Sequence, residues 1–176
     1  LGDVYKRQRV NQEIQRHYLE INSIQNLKGV RLTSEDYTLT LLDPINFQLN
    51  RFFYKNVGKK HKWVDRLIWS ETQWIKYVSN EHVKTYVFKK KKDLVGFFEL
   101  IFYPQKKETE VAYFGLLEEY QNKKLGSYLL TEAIKKSFIN NINRVWLHTC
   151  SLDHENALNN YLARGMKIFK TENIFI

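Results

Sequence analysis

The hydrophobic positions of the chain repeat with two periods, one typical of helices and one typical of strands. Between Leu125 and Phe138 apolar residues recur at helical spacing, which predicts an amphipathic helix with one buried face. The segments 83–90, 93–103 and 108–117 are rich in β-branched and aromatic residues, which predicts three strands. Short polar turns separate these strands, so we expect them to form a meander.

The other segments complete an alternation of strands and helices. Ser70 and Gln73 form a capping-box pattern, and Gly58 and Gly165 mark two helix ends. The remaining predictions are short strands at Gly29–Thr33 and Tyr37–Leu42, helices over 46–58, 70–80 and 154–165, strands at 144–152 and from Lys167 onward, and a helix or loose arm over 9–27. This order predicts one mixed α/β domain over residues 9–176.

The first eight residues, LGDVYKRQ, resemble a translated sequencing adaptor, so we treat residues 1–8 as an artefact outside the fold. The 176 residues suit one domain with a sizeable core. The chain has no apolar run that could span a bilayer and no signal-peptide pattern. Its single cysteine, Cys150, cannot form an internal disulfide, which fits a reducing compartment. We therefore expect a cytoplasmic protein without a membrane partner.

The net charge of +9 indicates an anionic partner. It is compatible with nucleic acid, and equally with an anionic cofactor or substrate drawn in by the field of the protein. The lysine run 89–92 lies between two predicted strands, so a solvated hairpin turn explains it better than a nucleic-acid patch.

A polar loop joins the predicted strand 108–117 to the helix that starts near Gly126. Free backbone N–H groups at such a helix start, together with the helix dipole, form an anion site. Lys123 and Lys124 would add positive charge to it. The sequence therefore predicts that this loop holds a phosphate group.

This loop resembles the cofactor motif of the GCN5-related N-acetyltransferase (GNAT) superfamily, Gln/Arg-x-x-Gly-x-Gly/Ala. Gln121 and Gly126 match the motif, while Lys124 stands in place of its middle glycine. Lysine fits there only if the backbone stays out of the region open to glycine alone.

A second motif of the same family, Asn-x-x-Ala-x-x-x-Tyr-x-x-x-Gly-Phe, has a counterpart in the segment NALNNYLARGM. Asn156, Tyr161 and Gly165 match it, Ala157 is slightly displaced, and Met166 replaces the phenylalanine. Two motifs in the right order, separated by a strand, identify the chain as a member of this superfamily.

The resemblance implies a GNAT fold, which is a mixed, mostly antiparallel sheet of about six to seven strands flanked by about four helices. It also implies acetyl-CoA as co-substrate, an amine as acceptor, and no metal. The implied cofactor-binding residues are Leu116, Leu117, Gln121, Asn122, Lys123, Lys124, Leu125, Gly126, Ser127 and Asn156.

The amine must lose a proton before it attacks, and Glu110, Glu99 and His148 are the candidate bases. The resemblance implies Glu110, because a glutamate base stands at the same offset in histone-type members. If the hairpin turns at 105–106, Glu99 becomes its diagonal neighbour, and two close carboxylates would split their pKa values. His148 serves as base if it faces the cleft, while Cys150 beside it is either a nucleophile or a buried thiol.

Tyr161 matches the family's tyrosine that reprotonates the leaving thiolate, with a packed core tyrosine as the alternative. Trp63, Asp65 and Arg66 lie in the region that lines the acceptor pocket in the family. An acidic group with aromatic neighbours would suit a cationic amine there. The alternative for these three residues is a tryptophan-anchored helix pair with a surface ion pair.

We therefore expect an N-acyltransferase that moves acetyl from acetyl-CoA to a primary amine of a small molecule or amino acid by direct attack. The alternative is a non-catalytic module on the same fold that senses coenzyme A or binds nucleic acid. A homodimer is compatible with either function.

Overall fold

The computed structural model describes residues 12–175, which form a seven-stranded sheet with four α-helices. The strands are β1 (Glu13–Ile21), β2 (Tyr37–Leu41), β3 (Val83–Lys90), β4 (Asp93–Tyr103), β5 (Glu108–Leu116), β6 (Arg144–Cys150) and β7 (Lys167–Phe175). The helices are α1 (Phe47–Gly58), α2 (Glu71–Val78), α3 (Leu125–Ser137) and α4 (Ala157–Ala163). The predicted mixed α/β fold is confirmed. The proposed artefact at residues 1–8 lies outside the described residues.

The strand order across the sheet is β2-β3-β4-β5-β6-β1-β7. Neighbouring strands are antiparallel except β5 and β6, which run parallel. In the described chain the β5–β6 ladder extends only from the pair Glu108/Arg144 to the pair Glu110/Trp146. Beyond Glu110 the two strands separate, and the sheet opens into a cleft.

Helices cover the two faces of the sheet. On one face, Phe53 of α1 stacks on Phe97 of β4 with 4.9 Å between ring centroids. On the other face, the buried stripe of α3, including Leu129 and Leu130, packs into the larger core cluster. The predicted capping box is present at the start of α2, where Ser70 and Gln73 satisfy each other's backbone N–H groups.

Two predictions for the N-terminal third are wrong. The described part of 9–27 contains the strand β1 rather than a helix or loose arm. In this strand Ile14 faces the cleft, whereas Leu19 lies in the core on the opposite sheet face. This switch of buried face hides the strand period. The predicted strand Gly29–Thr33 has no ladder partner among the described residues, and its Val30 N–H donates to Thr131 Oγ1 of α3 at 3.1 Å.

Gly165 ends the last helix, as predicted. Its φ of +101° lies in the region that favours glycine, and an added Cβ would stand 2.2 Å from the Asn26 carbonyl oxygen. The close approach ties the start of β7 to the segment that follows β1.

Candidate active site

The cleft between β5 and β6 has a volume of about 810 Å³. Its walls are β5, β6 and the start of α4, the loop 121–127 lies at its rim, and the segment 61–65 between α1 and α2 covers it. The size suits a cofactor or small-molecule site.

The backbone of β5 presents unpaired groups to this cleft. The Leu117 N–H donates to the Val95 carbonyl at 2.8 Å. Hydrogen-bonded and non-hydrogen-bonded pairs alternate along an antiparallel ladder, so the next pair, Gly96 and Leu116, exchanges no hydrogen bonds. The Leu116 N–H is therefore directed away from β4 and toward the cleft. Leu116 and Leu117 are both predicted to bind the cofactor, and the Leu116 N–H is available for this whereas the Leu117 N–H is already bonded to Val95.

A β-bulge in β5 sets which side chains face α1 and α2. Leu100 pairs with Val111 and Glu99 pairs with Tyr113, so Ala112 between them has no partner. The extra residue brings Tyr113 to the same sheet face as Glu99 and Glu110.

The loop before α3 has the geometry of an anion site. Asn122 and Lys124 adopt left-handed backbone conformations, with φ of 59° and 62°. Lys124 is the N-cap of α3 and provides no side-chain cap, so the first N–H groups of the helix remain available. The side chain of Lys124 is exposed and lines the cleft. Its substitution for glycine is thus accommodated in the left-handed region, at a cost in backbone energy.

The other predicted loop residues differ in where their side chains lie, and Asn122 lines the cleft. Gln121, Gly126 and Ser127 line the cleft, and Gln121 Nε2 also donates to the Leu116 carbonyl at 3.3 Å. Leu125 is 3% exposed and places its side chain in the core. Lys123 is exposed, lies over the Tyr120 ring and does not line the cleft.

An asparagine that the sequence prediction missed completes this end of the cleft. Asn160 Nδ2 donates to the Gly126 carbonyl at 3.2 Å, while its Oδ1 is buried without a hydrogen-bond partner among the described residues. Asn156, the predicted residue, also lines the cleft and is exposed. Counted back from Tyr161, the motif's alanine falls on Ala157, which is therefore not displaced, and its asparagine falls on His154 rather than Asn156. His154 lines the cleft as well.

Tyr161 lies at the inner wall of the cleft and is 7% exposed. Its ring packs edge-on near Phe114, with 6.4 Å between centroids. Burial raises its pKa above the ordinary value, with Asp153 and Cys150 acting in the same direction. The hydroxyl therefore stays protonated near neutral pH and can act as a hydrogen-bond donor at the cleft wall.

Glu99, one of the candidate bases, and Arg66, a predicted substrate-binding residue, form an ion pair in a buried polar cluster, and neither lines the cleft. Glu99 is 1% exposed and Arg66 is 7% exposed, and Arg66 Nη1 lies 2.9 Å from Glu99 Oε2. Asn50 Nδ2 and the Tyr77 hydroxyl also donate to this carboxylate, at 2.9 and 3.3 Å. Because Arg66 is buried, it belongs to no surface ion pair, which was the alternative that the sequence allowed for it. Neither Arg66 nor Glu99 is open to a substrate.

Glu110 is half-buried and does not line the cleft. The Tyr103 hydroxyl donates to Glu110 Oε1 at 3.1 Å. Burial raises the pKa of Glu110, although the Tyr103 hydrogen bond and the charge of Arg66 oppose the shift. The pKa is raised as a base requires, but the side chain is not at the cleft surface.

His148 is the one of the three candidate bases whose side chain lines the cleft. Desolvation by the cleft walls lowers its pKa and the nearby charge of Arg16 lowers it further, while Asp153 and Glu172 oppose the shift. Its imidazole is therefore neutral near pH 7 and able to accept a proton. Cys150 shares the cleft, but burial and Asp153 raise its thiol pKa, which disfavours a nucleophilic thiolate.

The segment between α1 and α2 brings aromatic and acidic groups over the cleft. Trp63 and Asp65 line it together with Tyr54 and Tyr113, and the predicted contact of Trp63 and Asp65 with an acceptor stays a prediction. His61, which the sequence prediction missed, spans the cleft, and its Nδ1 lies 2.9 Å from the Leu152 carbonyl oxygen. A lone histidine in a lysine-rich segment gives no sequence signal for such a contact.

Among residues 12–175, no cluster of three or more His, Cys, Asp or Glu side chains could hold a metal ion. None of the helices in this part of the chain has the length and apolarity that a membrane crossing needs.

The protein is of the α/β class, with a seven-stranded sheet that opens into a cleft between two parallel strands and an uncapped helix start at that cleft. The profile of the Acetyltransferase (GNAT) family matches residues 45–166, and the chain belongs to this family.

Similar solved structures support the same fold. A GCN5-related N-acetyltransferase from Sphaerobacter thermophilus has a TM-score of 0.69 at 14% identity, covering 94% of this chain and 51% of that one. Spermidine N-acetyltransferase from Vibrio cholerae, in complex with CoA and spermine, has a TM-score of 0.62 at 20% identity, covering 81% and 96%. An aminoglycoside acetyltransferase from an uncultured soil metagenomic sample has a TM-score of 0.63 at 12% identity, covering 74% and 88%.

No curated protein matches the chain significantly. The chain spans 51% to 62% of the length of three of the similar structures.

Proposed function

We propose that this protein transfers an acetyl group from acetyl-CoA to the primary amine of a small molecule or amino acid by direct attack. The observation that carries the proposal is the uncapped start of α3, which opens on the same cleft as the free Leu116 N–H. Acetyl-CoA, when bound, would supply the acetyl thioester that the amine attacks.

The residues around the cleft fit this co-substrate. The first N–H groups of α3 would hold the pyrophosphate, and Lys124 would add a positive charge beside it. The space beside Gly126 is open, because an added Cβ would meet only ordinary contacts, the nearest at 3.7 Å from Asn160 Nδ2. The unpartnered Asn160 Oδ1 would accept from an amide N–H of the pantetheine arm.

Three groups of the chain would carry the chemistry. The Leu116 N–H would donate to the developing oxyanion, and a donor of this kind is worth about 3–4 kcal/mol in a dry site. His148 would accept the amine proton, since it is neutral and lines the cleft. Tyr161, protonated and buried in the cleft wall, would donate to the leaving thiolate.

The proposal is tested first by titrating the purified protein with acetyl-CoA in a calorimeter. We expect saturable one-site binding that Gly126→Glu weakens at least tenfold, because its carboxylate would stand among the N–H groups of the loop. Gly126→Ala is the matched control, since the structure has room for its methyl group. Equal affinity for all three proteins would remove the loop from the site.

A second measurement separates catalysis from simple binding. We expect free thiol to be released from acetyl-CoA in the presence of an amine, and Tyr161→Phe to lower kcat by about 100-fold with cofactor affinity nearly unchanged. The position of Glu99 and Glu110 away from the cleft lining favours one alternative, a module that binds coenzyme A without catalysis. That alternative predicts binding with no thiol release from any amine.

A further inference from the structure

The carboxylates near the cleft differ in the cations and hydrogen-bond donors that already contact them. Glu99 is neutralised by Arg66 inside the protein. Asp153 Oδ2 accepts from Thr149 Oγ1 at 2.6 Å and from the Cys150 N–H at 2.9 Å. Asp65 is exposed, lines the cleft and makes no salt bridge within residues 12–175. It is therefore the carboxylate most open to a ligand cation.

The protein also fills its own aromatic cation site. Five rings surround the Arg66 guanidinium carbon at 4.1–5.7 Å, and they belong to Tyr54, Trp69, Trp74, Tyr77 and Tyr113. Such a cage with a carboxylate would otherwise suit a ligand ammonium group. Because Arg66 occupies it, a second ammonium group of an acceptor has no place there.

Three positive side chains also line the cleft, those of Arg16, Lys62 and Lys124, and Arg16 Nη1 lies 3.9 Å from Glu172 Oε1 as well. An acceptor with several ammonium groups would bring at least one of them close to these cations, and like charges at such an interface disfavour binding. The charges around the cleft therefore select against polycations.

The wall next to Asp65 is apolar. Trp63 and Val64 line the cleft, and Val64 is 57% exposed. Leu67 and Ile68 follow in the same segment and are 49% and 89% exposed, although they do not line the cleft. The exposed apolar side chain of Val64 beside Asp65 therefore offers a contact for an apolar part of a ligand.

From these contacts we infer that the acceptor is an amphipathic monoamine, with one primary ammonium group bound by Asp65 and an apolar body against Trp63 and Val64. The inference rests on the proposed function and narrows its acceptor. It separates this protein from structural relatives whose names specify spermidine or aminoglycosides.

The test measures amine binding without requiring turnover. The full chain is titrated in a calorimeter with 2-phenylethylamine and with spermidine, in the presence and absence of coenzyme A. We expect 2-phenylethylamine to bind at least tenfold more tightly than spermidine. Asp65→Asn should weaken that binding about tenfold, whereas Asp36→Asn, an exposed aspartate in the turn before β2, should not change it.

Three outcomes would overturn the inference: spermidine binding as tightly as 2-phenylethylamine, unchanged affinity in Asp65→Asn, or no binding of either amine. The proposed function fails on a different measurement, the absence of coenzyme A binding or of thiol release. A protein that binds coenzyme A and acetylates spermidine fastest would thus keep the proposed function and lose this inference.

Discussion

Removal of the Arg66 charge from its buried site should destabilise the fold strongly. In Arg66→Met the side-chain volume is largely kept, but the Glu99 carboxylate remains 1% exposed without its cation. Breaking a buried pair in this way costs about 3–5 kcal/mol, a large part of the roughly 5–15 kcal/mol that a domain has. The reverse change, Glu99→Met, leaves a buried guanidinium and should cost a similar amount.

The double substitution should cost less than the sum of the two single ones. With both charges gone, burial of apolar side chains offsets much of the loss, although the Asn50 amide and the Tyr77 hydroxyl each lose an acceptor at about 1–3 kcal/mol. We expect a coupling energy of at least about 2 kcal/mol. The assay is urea unfolding followed by tryptophan fluorescence, because Trp69 and Trp74 contact Arg66.

An exposed ion pair provides the control. Lys60 pairs with Glu118, and both side chains are 66% exposed, so Lys60→Met should lower the stability far less than Arg66→Met does. The reasoning is refuted if Arg66→Met costs no more than Lys60→Met, or if the two buried substitutions add. Arg66→Ala extends the test, since millimolar guanidinium should fill the aromatic cage and raise its Tm, while sodium chloride at equal ionic strength should not.

Three further predictions concern single groups. Lys124→Gly should stabilise the protein by up to about 1 kcal/mol in urea unfolding. A left-handed backbone costs a non-glycine residue about 1–2 kcal/mol, which exceeds the entropy cost of glycine, about 0.5–1 kcal/mol. A loss of stability would contradict this. Arg16→Met should raise the pKa of His148 and move the acidic limb of the pH–rate profile to higher pH, and an unmoved limb would remove His148 as the base. The raised pKa of Glu110 means that its ionised form destabilises the folded state, and this cost disappears as the pH falls through that pKa. Glu110→Gln should therefore be more stable than the natural protein, by a larger margin at neutral pH than near pH 4.5. An equal margin at both pH values would contradict the burial argument.

Local sequence patterns predicted the elements whose causes are local. The capping box at Ser70 and the glycine end at Gly165 depend on a few adjacent residues, and both are present. The strand β1 was missed because its apolar residues serve two faces, Ile14 the cleft and Leu19 the core. Such a division is decided by tertiary structure, since the cleft exists only where β5 and β6 separate.

The candidate site shows the same boundary between local and distant causes. The loop at Lys124 was predicted from its own residues, and it lies at the cleft with its helix start uncapped. The fate of Glu99 depended on Arg66, 33 residues away, and on rings from three separate segments. Charge pairs at that separation leave no periodic trace, so a buried carboxylate could not be distinguished from a candidate base.

One bulge residue, Ala112, connects the fold to the proposed chemistry. If β5 paired with β4 without it, the register after Val111 would slip by one residue, and Leu116 rather than Leu117 would stand opposite Val95. The Leu116 N–H would then be used by the sheet and lost to the cleft. The same slip would turn Tyr113 away from Arg66 and toward the core around α3. The free backbone donor and the filled cation cage therefore both depend on one extra residue in β5, which makes the bulge a requirement of the site and not an irregularity of the sheet.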